Sequence, residues 1–451
     1  MALTRRQLLA GAAASGAMLV ARPWNALARP LTEGVSRVSK LAPGLRVVNA
    51  DLHNHTLLSD GDGDPAAAFE SMRRNGIDVA AITDHAGTNK HNPLGCDACG
   101  EFDGIDEAAW QRIGELADAA NDDGSFVAVR GFEWSSPSLG HMNVWFSQRW
   151  TDPLATAGAG PAHLPSFLMH EGDDAMPSRA TFESGLRALP GDALSMAPFY
   201  AWLATEPSTP VIGGGLDAIA GFNHPGREGG RFGYFAYDGA IADRVVSFEA
   251  FNRGEDYLFE GAPYTVSPIV ECLDAGWRVG FTGVTDEHGQ RWGEPEGKGR
   301  TGLWLPDGVL TRDAVRASMQ SRRFYSSREV GLRLDATANG VPMGGLLSHA
   351  SGDVGFAIDL DRGPALAGST VLVQVLQTGN PLPTIVDTRT VTVPAADAPP
   401  IELTVPIDRA NGSWVVLRIT DPSMPADGRA TGDWALAGRA LAYASPFFLV
   451  D

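Results

Sequence analysis

Histidine and carboxylate side chains recur in short clusters between Asp51 and His288. The first cluster is Asp51-Leu52-His53-Asn54-His55, in which one residue separates two imidazoles. On an extended backbone such residues point to the same side, so His53 and His55 can bind one metal ion together. The rest of the series is Asp60, His85, Glu133, His141, His224, Asp286 and His288. Imidazoles and carboxylates without a thiolate suit Zn, Mn or Fe(II) equally, so the sequence predicts a divalent metal centre without selecting the metal.

The segments around these clusters have the pattern of alternating strands and helices. Between about residues 47 and 328, this alternation predicts repeated βα units around a parallel sheet. The expected elements are a strand at 45–52, a helix between Asp64 and Gly76, a strand at 77–83, a helix at 106–120 and a strand at 126–130. In a βα barrel the carboxyl ends of the strands form one open face, so we expect the clusters to converge there.

Taken together, the clusters resemble the motif set of the polymerase-and-histidinol-phosphatase (PHP) domain of metal-dependent phosphoesterases. The matching residues are Asp51-Leu52-His53-Asn54-His55-Thr56, Ser59-Asp60-Gly61, Thr83-Asp84-His85, Glu133, His141, His224-Pro225 and Asp286-x-His288. The resemblance implies an α/β fold, a distorted (βα)7 barrel with two or three divalent metal ions at its open end. Within this family the chain is similar to nucleoside and nucleotide phosphatases and to secreted carbaryl-hydrolase-like metallohydrolases. The second similarity extends to residues 339–344 and 442–446 of the tail.

The resemblance also implies a distribution of ligands among the metal ions. One site would use His53, His55, Glu133 and Asp286. A second would share Glu133 as a bridge and add His141 and His224. A third would use Asp60, His85 and His288.

The chain is expected to contain two folded domains. The metallohydrolase barrel would span 45–328, with an irregular insertion or lid at 151–211 and a short helix within it at 180–189. After residue 328, short β-prone runs separated by Gly, Pro, Asn and Asp predict a C-terminal β-sandwich over 329–451. Its strands are expected at 354–360, 370–376, 389–393, 401–407, 413–419 and 439–449.

The first 28 residues have the features of a twin-arginine signal peptide. Arg5-Arg6 precedes a weakly apolar stretch, and Ala26-Leu27-Ala28 matches a signal-peptidase cleavage pattern. We therefore expect the twin-arginine export machinery as a partner and a periplasmic or secreted location. No other segment has about 20 consecutive apolar residues, so stable membrane insertion of the mature chain is not expected.

The composition limits the classes of ligand. The chain has 451 residues, with 35 Lys and Arg against 54 Asp and Glu, a formal net charge of −19. This sign is wrong for a nucleic-acid scaffold, which needs cations for the phosphate backbone. Divalent ions would make the site itself positive, so a small anionic ester is the expected substrate class. Arg227, three residues after His224, is the candidate phosphate clamp, although a surface role is equally compatible with its glycine-rich loop.

Three functions are compatible with these residues. The leading hypothesis is an exported hydrolase of phosphate esters that uses a metal-activated hydroxide. A carbamate or carboxylic ester hydrolase on the same metals would need an apolar pocket, for which the candidates are Trp134, Trp145, Phe146 and Tyr234. The third is a non-catalytic metal-binding module. The substrate, its leaving group, the metal and the oligomeric state stay open.

Several other residues of chemical interest have simpler explanations. Cys96 and Cys99 are expected to form a local disulfide or a pair of thiols rather than a zinc site, since only His91 is near. Cys272 fits a buried apolar position. His163 and His170 are expected at the surface, and Glu249 and Asn252 in structural positions near the barrel mouth.

Overall fold

The computed structural model describes residues 35–86, 104–136, 139–153, 195–210, 213–227, 231–259, 266–294 and 299–451. The predicted signal peptide, Cys96, Cys99, His163, His170 and the helix at 180–189 lie outside these ranges, as does most of the predicted insertion. Within them, no helix is long and apolar enough to cross a membrane.

The described chain is a mixed α/β protein that is rich in strands. Apart from a five-residue segment with positive φ at Arg231–Phe235, the described α-helices are α1 (Pro65–Arg74), α2 (Glu107–Ala120), α3 (Ala197–Leu203), α4 (Pro268–Asp274), α5 (Arg312–Gln320) and α6 (Gly432–Leu436). The strands of the N-terminal part are β1 (Leu45–Asp51), β2 (Val79–Ile82), β3 (His85–Ala86), β4 (Val127–Ser136), β5 (Gly140–Trp145), β6 (Ile219–Phe222), β7 (Val245–Asn252), β8 (Glu255–Asp256), β9 (Gly280–Val284), β10 (Arg300–Pro306) and β11 (Phe324–Ser327). Those of the C-terminal part are β12 (Arg333–Ala338), β13 (Val341–Pro342), β14 (Leu346–Ser348), β15 (Ser351–Asp361), β16 (Thr370–Gln377), β17 (Thr384–Thr392), β18 (Ile401–Asp408), β19 (Trp414–Asp421), β20 (Arg439–Ala444) and β21 (Phe447–Val450).

The first βα unit forms as the sequence predicts. The Asp64 side chain accepts a hydrogen bond from the Ala66 amide and caps α1, whose first residue is Pro65. In α2, Asp106 caps the helix in the same way. The buried face of α2 consists of Ala109, Trp110, Ile113 and Ala117, with Leu116 and Ala120 packed at its edge.

The strands of the N-terminal part form a mixed sheet, whereas the sequence predicted a parallel one. The pairs β1–β2, β2–β4, β6–β7 and β7–β9 are parallel, but β4–β5, β5–β6 and β1–β10 are antiparallel. Only three residues separate β4 from β5, too few for the crossover that a parallel pair needs. Gly140, with φ of +97°, begins β5 and lets the chain reverse there. The same pairing extends β4 to Ser136, beyond the predicted end at 130.

The C-terminal strands are joined to the N-terminal part by hydrogen bonds. Strand β11 pairs with β20, and β20 continues through β19 to β16 and β17. A separate sheet has the order β13-β12-β15-β18, and apolar side chains of both sheets share one buried cluster. The predicted strand at 439–449 is two strands, because Pro446 interrupts the hydrogen-bonding ladder between β20 and β21. The domain boundary at 328 stays a prediction.

Candidate metal centre

The nine predicted metal ligands come together in space. His85, Glu133 and His141 belong to strands β3, β4 and β5, while the others lie in the segments that follow β1, β6 and β9. Seven of the nine are almost completely buried, and the side chains of Asp60 and His288 keep 20% and 26% of their surface exposed. Five buried imidazoles gathered around carboxylates are typical of a metal-binding centre.

Glu133 lies at the centre of the cluster. Its Oε1 is 3.2 Å from His53 Nε2, 3.3 Å from His141 Nδ1 and 3.2 Å from His224 Nε2. Its Oε2 is 2.6 Å from His85 Nδ1 and 3.6 Å from His55 Nε2. The two oxygens of one carboxylate therefore face two different groups of imidazoles, as a bridging carboxylate does.

His53 and His55 direct ring nitrogens toward the same point. Their Nε2 atoms are 3.0 Å apart. Two imidazole nitrogens this close together could both bind one divalent metal ion. The one-residue spacing in the sequence thus places the two histidines where they can bind the same metal ion.

A second part of the cluster is built on the turn after β1. Asp60 Oδ1 is 3.6 Å from His85 Nε2, and Asp60 Oδ2 is 3.4 Å from His288 Nε2. The turn is held by Asp84, whose carboxylate accepts hydrogen bonds from the Thr56 amide and hydroxyl and from the Ser59 hydroxyl. Asp84 thereby fixes the loop that carries Asp60.

Asp286 joins the two parts. Its Oδ1 is 3.6 Å from His53 Nε2, 3.3 Å from His55 Nε2 and 3.4 Å from His288 Nδ1. This oxygen, unlike Oδ2, accepts no hydrogen bond from any residue that the structure describes. The backbone of Asp286 has φ of +47° and that of His224 has φ of +23°, a region that non-glycine residues seldom occupy. Such conformations are retained where they place functional side chains.

The charges of the cluster shift its pKa values in opposite directions. Burial opposes ionisation of Glu133, but His141, His53 and His85 outweigh it and hold the pKa of the carboxyl well below its usual range. Burial, reinforced by His288 and His85, lowers the pKa of His55 well below that of a free histidine. At His53, burial is outweighed by Asp286, Glu249 and Glu133, which raise the pKa of that imidazole well above that of a free histidine. Metal ligands require ionised carboxylates and neutral imidazoles, so a bound ion would have to displace a proton from His53 but not from His55.

The described geometry groups the residues somewhat differently from the resemblance. The sets whose ligand atoms lie mutually close are His55, Asp60, His85 and His288; His53, His224 and Asp286; His53, His55 and Glu133; and His85, Glu133 and His141. The geometry thus adds His55 to the expected third set and places His141 and His224 in different sets. The assignment of residues to individual ions stays a prediction.

Four neighbouring residues that support the cluster were not identified as functional from the sequence. The Glu249 carboxylate accepts hydrogen bonds from His53 Nδ1 at 2.7 Å and from the His224 amide at 2.7 Å. Asn223 donates to Glu133 Oε1 at 2.6 Å, and the Ser135 hydroxyl lies 2.7 Å from His85 Nδ1. Arg253 contacts Asp286 and His288. Adjacency to His224 and Glu133 was an available signal for Asn223 and Ser135, whereas Glu249 is 196 residues from His53.

Arg227 lies beside the cluster, but its hydrogen bonds are largely internal. Its Nη1 donates to Asp286 Oδ2 at 2.9 Å, its Nη2 donates to Asn252 and Glu255, and its Nε also donates to Glu255. Burial is outweighed here by Tyr257, Asp286 and Glu255, which raise the pKa of the guanidinium. Its role as a phosphate clamp stays a prediction.

The aromatic residues considered for an apolar pocket have other surroundings. Trp134 is buried and stacks on Phe199 with ring centroids 4.5 Å apart. The Trp145 indole is buried and donates to the Leu52 carbonyl. Phe146 and Tyr234 are half-buried. Within the described ranges, neither tryptophan is available to form an exposed substrate pocket.

The residues present fit divalent metal ions. The possible ligand atoms are carboxylate oxygens and imidazole nitrogens, which bind divalent ions of hard to borderline character. His55 Nδ1 and Asp286 Oδ1 are buried and form no hydrogen bond with the described part of the chain. Buried polar atoms are otherwise nearly always paired. His53, His55, His85, Glu133 and Asp286 would form the inner part of such a centre, with Asp60 and His288 at its exposed side.

Similarity to known proteins was found among solved structures alone. No family model matches the chain, and no curated protein matches it. Among solved structures, a two-domain protein from Bacteroides vulgatus that contains a predicted PHP-like metal-dependent phosphoesterase is 14% identical, with a TM-score of 0.38, over 92% of this chain and 98% of that one. A protein from Bifidobacterium adolescentis described as a metal-dependent phosphoesterase is 16% identical, with a TM-score of 0.28, over 60% of this chain and 95% of that one. TM-scores of this size do not establish a common fold.

Proposed function

We propose that this protein is a metal-dependent hydrolase of phosphate esters that belongs to the PHP family, with two or three divalent ions. The observation that supports this proposal most strongly is the position of Glu133, whose two carboxylate oxygens face separate groups of buried imidazoles. A carboxylate between two groups of ligands is suited to hold two ions a short distance apart. Divalent ions at such a centre supply Lewis acidity, which activates water and stabilises charge on phosphoryl oxygens.

The chain's own residues support an anionic substrate. The three carboxylates of the ligand set, Asp60, Glu133 and Asp286, carry −3 against the +4 of two divalent ions, so the ligand set with its ions has a net positive charge. Arg227 and Arg253 add two guanidinium groups beside Asp286. A positive centre in a chain of net charge −19 concentrates the attraction for anions at this one place.

The remaining parts of the proposal follow from the sequence resemblance. The N-terminal part would be a distorted (βα)7 barrel, and the C-terminal part would be a β-sandwich. Within the PHP family, the protein would belong to the branch of secreted carbaryl-hydrolase-like enzymes. Export through the twin-arginine machinery to the periplasm or beyond is supported by Arg5-Arg6 and by Ala26-Leu27-Ala28.

A hydrolysis screen tests the function. The protein from residue 29 onward would be loaded with Mn, Zn or Fe(II) and offered chromogenic phosphomonoesters, phosphodiesters and aryl carbamates. We expect turnover of a phosphate ester that a chelator abolishes and the same metal restores. Turnover of carbamates alone would replace this proposal with the carbamate alternative, and metal binding without any hydrolysis would favour a non-catalytic module.

A further inference from the structure

Two guanidinium groups contact the same carboxylate, that of Asp286, but they differ in exposure. Arg227 Nη1 is 2.9 Å from Asp286 Oδ2, and Arg253 Nε is 3.3 Å from the same oxygen. The side chain of Arg253 is 45% exposed and that of Arg227 is 27% exposed. The two arginines are therefore not equivalent toward a substrate that approaches from solvent.

Arg227 has little hydrogen-bonding capacity left. A guanidinium has five N–H groups, and those of Arg227 donate to Glu255 twice, to Asn252 once and to Asp286 once. Two-point binding of a phosphate requires two N–H groups in a fork. Arg227 would have to break existing hydrogen bonds before it bound a phosphate in this way.

Arg253 keeps most of its capacity. Its Nε donates to the Asp286 carbonyl at 3.2 Å, and its Nη2 lies 2.9 Å from His288 Nδ1. Its three other N–H groups have no partner among the residues that the structure describes. Arg253 therefore offers a guanidinium that is anchored at one edge beside the metal centre and open at the other.

The backbone at Arg253 is unfavourable for an arginine. Asn252 and Glu255 are paired across the β7–β8 hairpin, and Arg253-Gly254 is its two-residue turn. Arg253 has φ of +51°, which glycine adopts more readily than any other residue. An arginine at the position where the turn favours glycine indicates that the side chain has a use.

The hairpin is also held by residues outside the metal centre. Arg328 donates to the Gly254 carbonyl at 2.9 Å and lies 4.4 Å from the centroid of the Phe251 ring. The Tyr443 hydroxyl of β20 is 2.9 Å and 3.0 Å from the two carboxylate oxygens of Asp256. The turn is thus fixed by Arg328, which follows β11, and by Tyr443 of β20, so Arg253 is positioned before a ligand arrives.

We propose that Arg253 binds the anionic phosphoryl group of the substrate, whereas Arg227 positions Asp286. This inference rests on the proposed function and names the residue that selects an anionic substrate at the same centre. Arg253, in the turn of the β7–β8 hairpin, would thus take the phosphate-binding role that the sequence suggested for Arg227.

The test compares Arg253→Ala, Arg253→Lys and Arg253→Gly with the wild type, all loaded with the same metal. The glycine variant suits the left-handed turn, so it keeps the fold. Arg389→Ala, which removes another half-exposed, ion-paired arginine from β17, is the matched control. The measurements are the metal content by mass spectrometry, the Kd of inorganic phosphate by calorimetry, and kcat/KM for a phosphomonoester.

We expect Arg253→Ala and Arg253→Gly to raise the Kd of phosphate at least ~10-fold and to lower kcat/KM by a similar factor, with metal content unchanged. Arg253→Lys should be intermediate because it keeps the charge without the fork, and Arg389→Ala should equal the wild type. A Kd within threefold of the wild type in both the alanine and the glycine variant would overturn the inference. So would a parallel loss of metal, which would make Arg253 a positioning residue for Asp286.

The two proposals fail separately. Normal hydrolysis by the wild type together with normal hydrolysis by Arg253→Ala would refute only the role of Arg253. A wild type that binds phosphate through Arg253 but hydrolyses no phosphate ester would refute the proposed function and leave the binding role supported.

Discussion

Glu249→Gln should weaken metal binding at His53 without unfolding the protein. The Glu249 carboxylate accepts three hydrogen bonds, from His53 Nδ1, the His224 amide and Asn252 Nδ2, at 2.7, 2.7 and 2.8 Å. Donation from Nδ1 keeps the hydrogen off Nε2 of His53, the nitrogen that faces His55 and Glu133. Glutamine has one acceptor oxygen and an amide that only donates, so it cannot satisfy all three donors.

The size of the effect follows from the hydrogen bond that must be lost. A charge-assisted hydrogen bond contributes about 1.5–3 kcal/mol, and loss of such a partner of a metal-binding histidine costs about 10- to 100-fold in metal affinity. We therefore expect the Kd for Zn or Mn to rise about 10- to 100-fold, measured by competition with a metallochromic indicator. Glu402→Gln, at an exposed position of β18, is the control. A Kd within threefold of the wild type would refute the role assigned to Glu249.

Three further predictions concern other parts of the chain. Asp286→Ala should abolish turnover while circular dichroism stays that of the wild type, and near-normal turnover with metal bound would remove Asp286 from the ligand set. Burial and the charge of Asp427 raise the pKa of Asp256 from 3.8 to about 6. The free energy of unfolding of the metal-free protein should therefore fall by about 3 kcal/mol as the pH rises from about 4 to above 6, because the unfolded state loses this proton first. Asp256→Asn should remove this decline, and unfolding free energies that change in parallel with pH in the two proteins would contradict the prediction. Replacing Arg5 and Arg6 together by Lys should block export, and export at the wild-type rate would exclude a twin-arginine signal.

The sequence was most informative where structure depends on neighbouring residues. The cap of α1 at Asp64 was predictable because the capping oxygen and the amide it binds are two residues apart. The clustering of His53 and His55 was predictable for the same reason, since one-residue spacing on an extended segment fixes their common direction. The strand after α1 was expected at 77–83 and forms at Val79–Ile82, which is a difference only in its ends.

Features that depend on long-range pairing were not predictable. The antiparallel β4–β5 pair depends on the reversal at Gly140, which the expected βα repeat did not include. The contact of Glu249 with His53 depends on the parallel register of β7 with its neighbours, which no local pattern records. The difference between Arg227 and Arg253 depends on which side chains surround each guanidinium, and Glu255 reaches Arg227 only because the hairpin folds back.

Metal stoichiometry tests the central claim most directly. The protein would be dialysed after incubation with Zn, Mn or Fe(II), and bound metal per chain would be measured by mass spectrometry beside Glu133→Gln. We predict at least two divalent ions per chain in the wild type and a loss of at least one in Glu133→Gln, because each Glu133 oxygen faces a different group of imidazoles. One ion or none in the wild type, or an unchanged count in Glu133→Gln, would contradict a multinuclear centre bridged by this carboxylate.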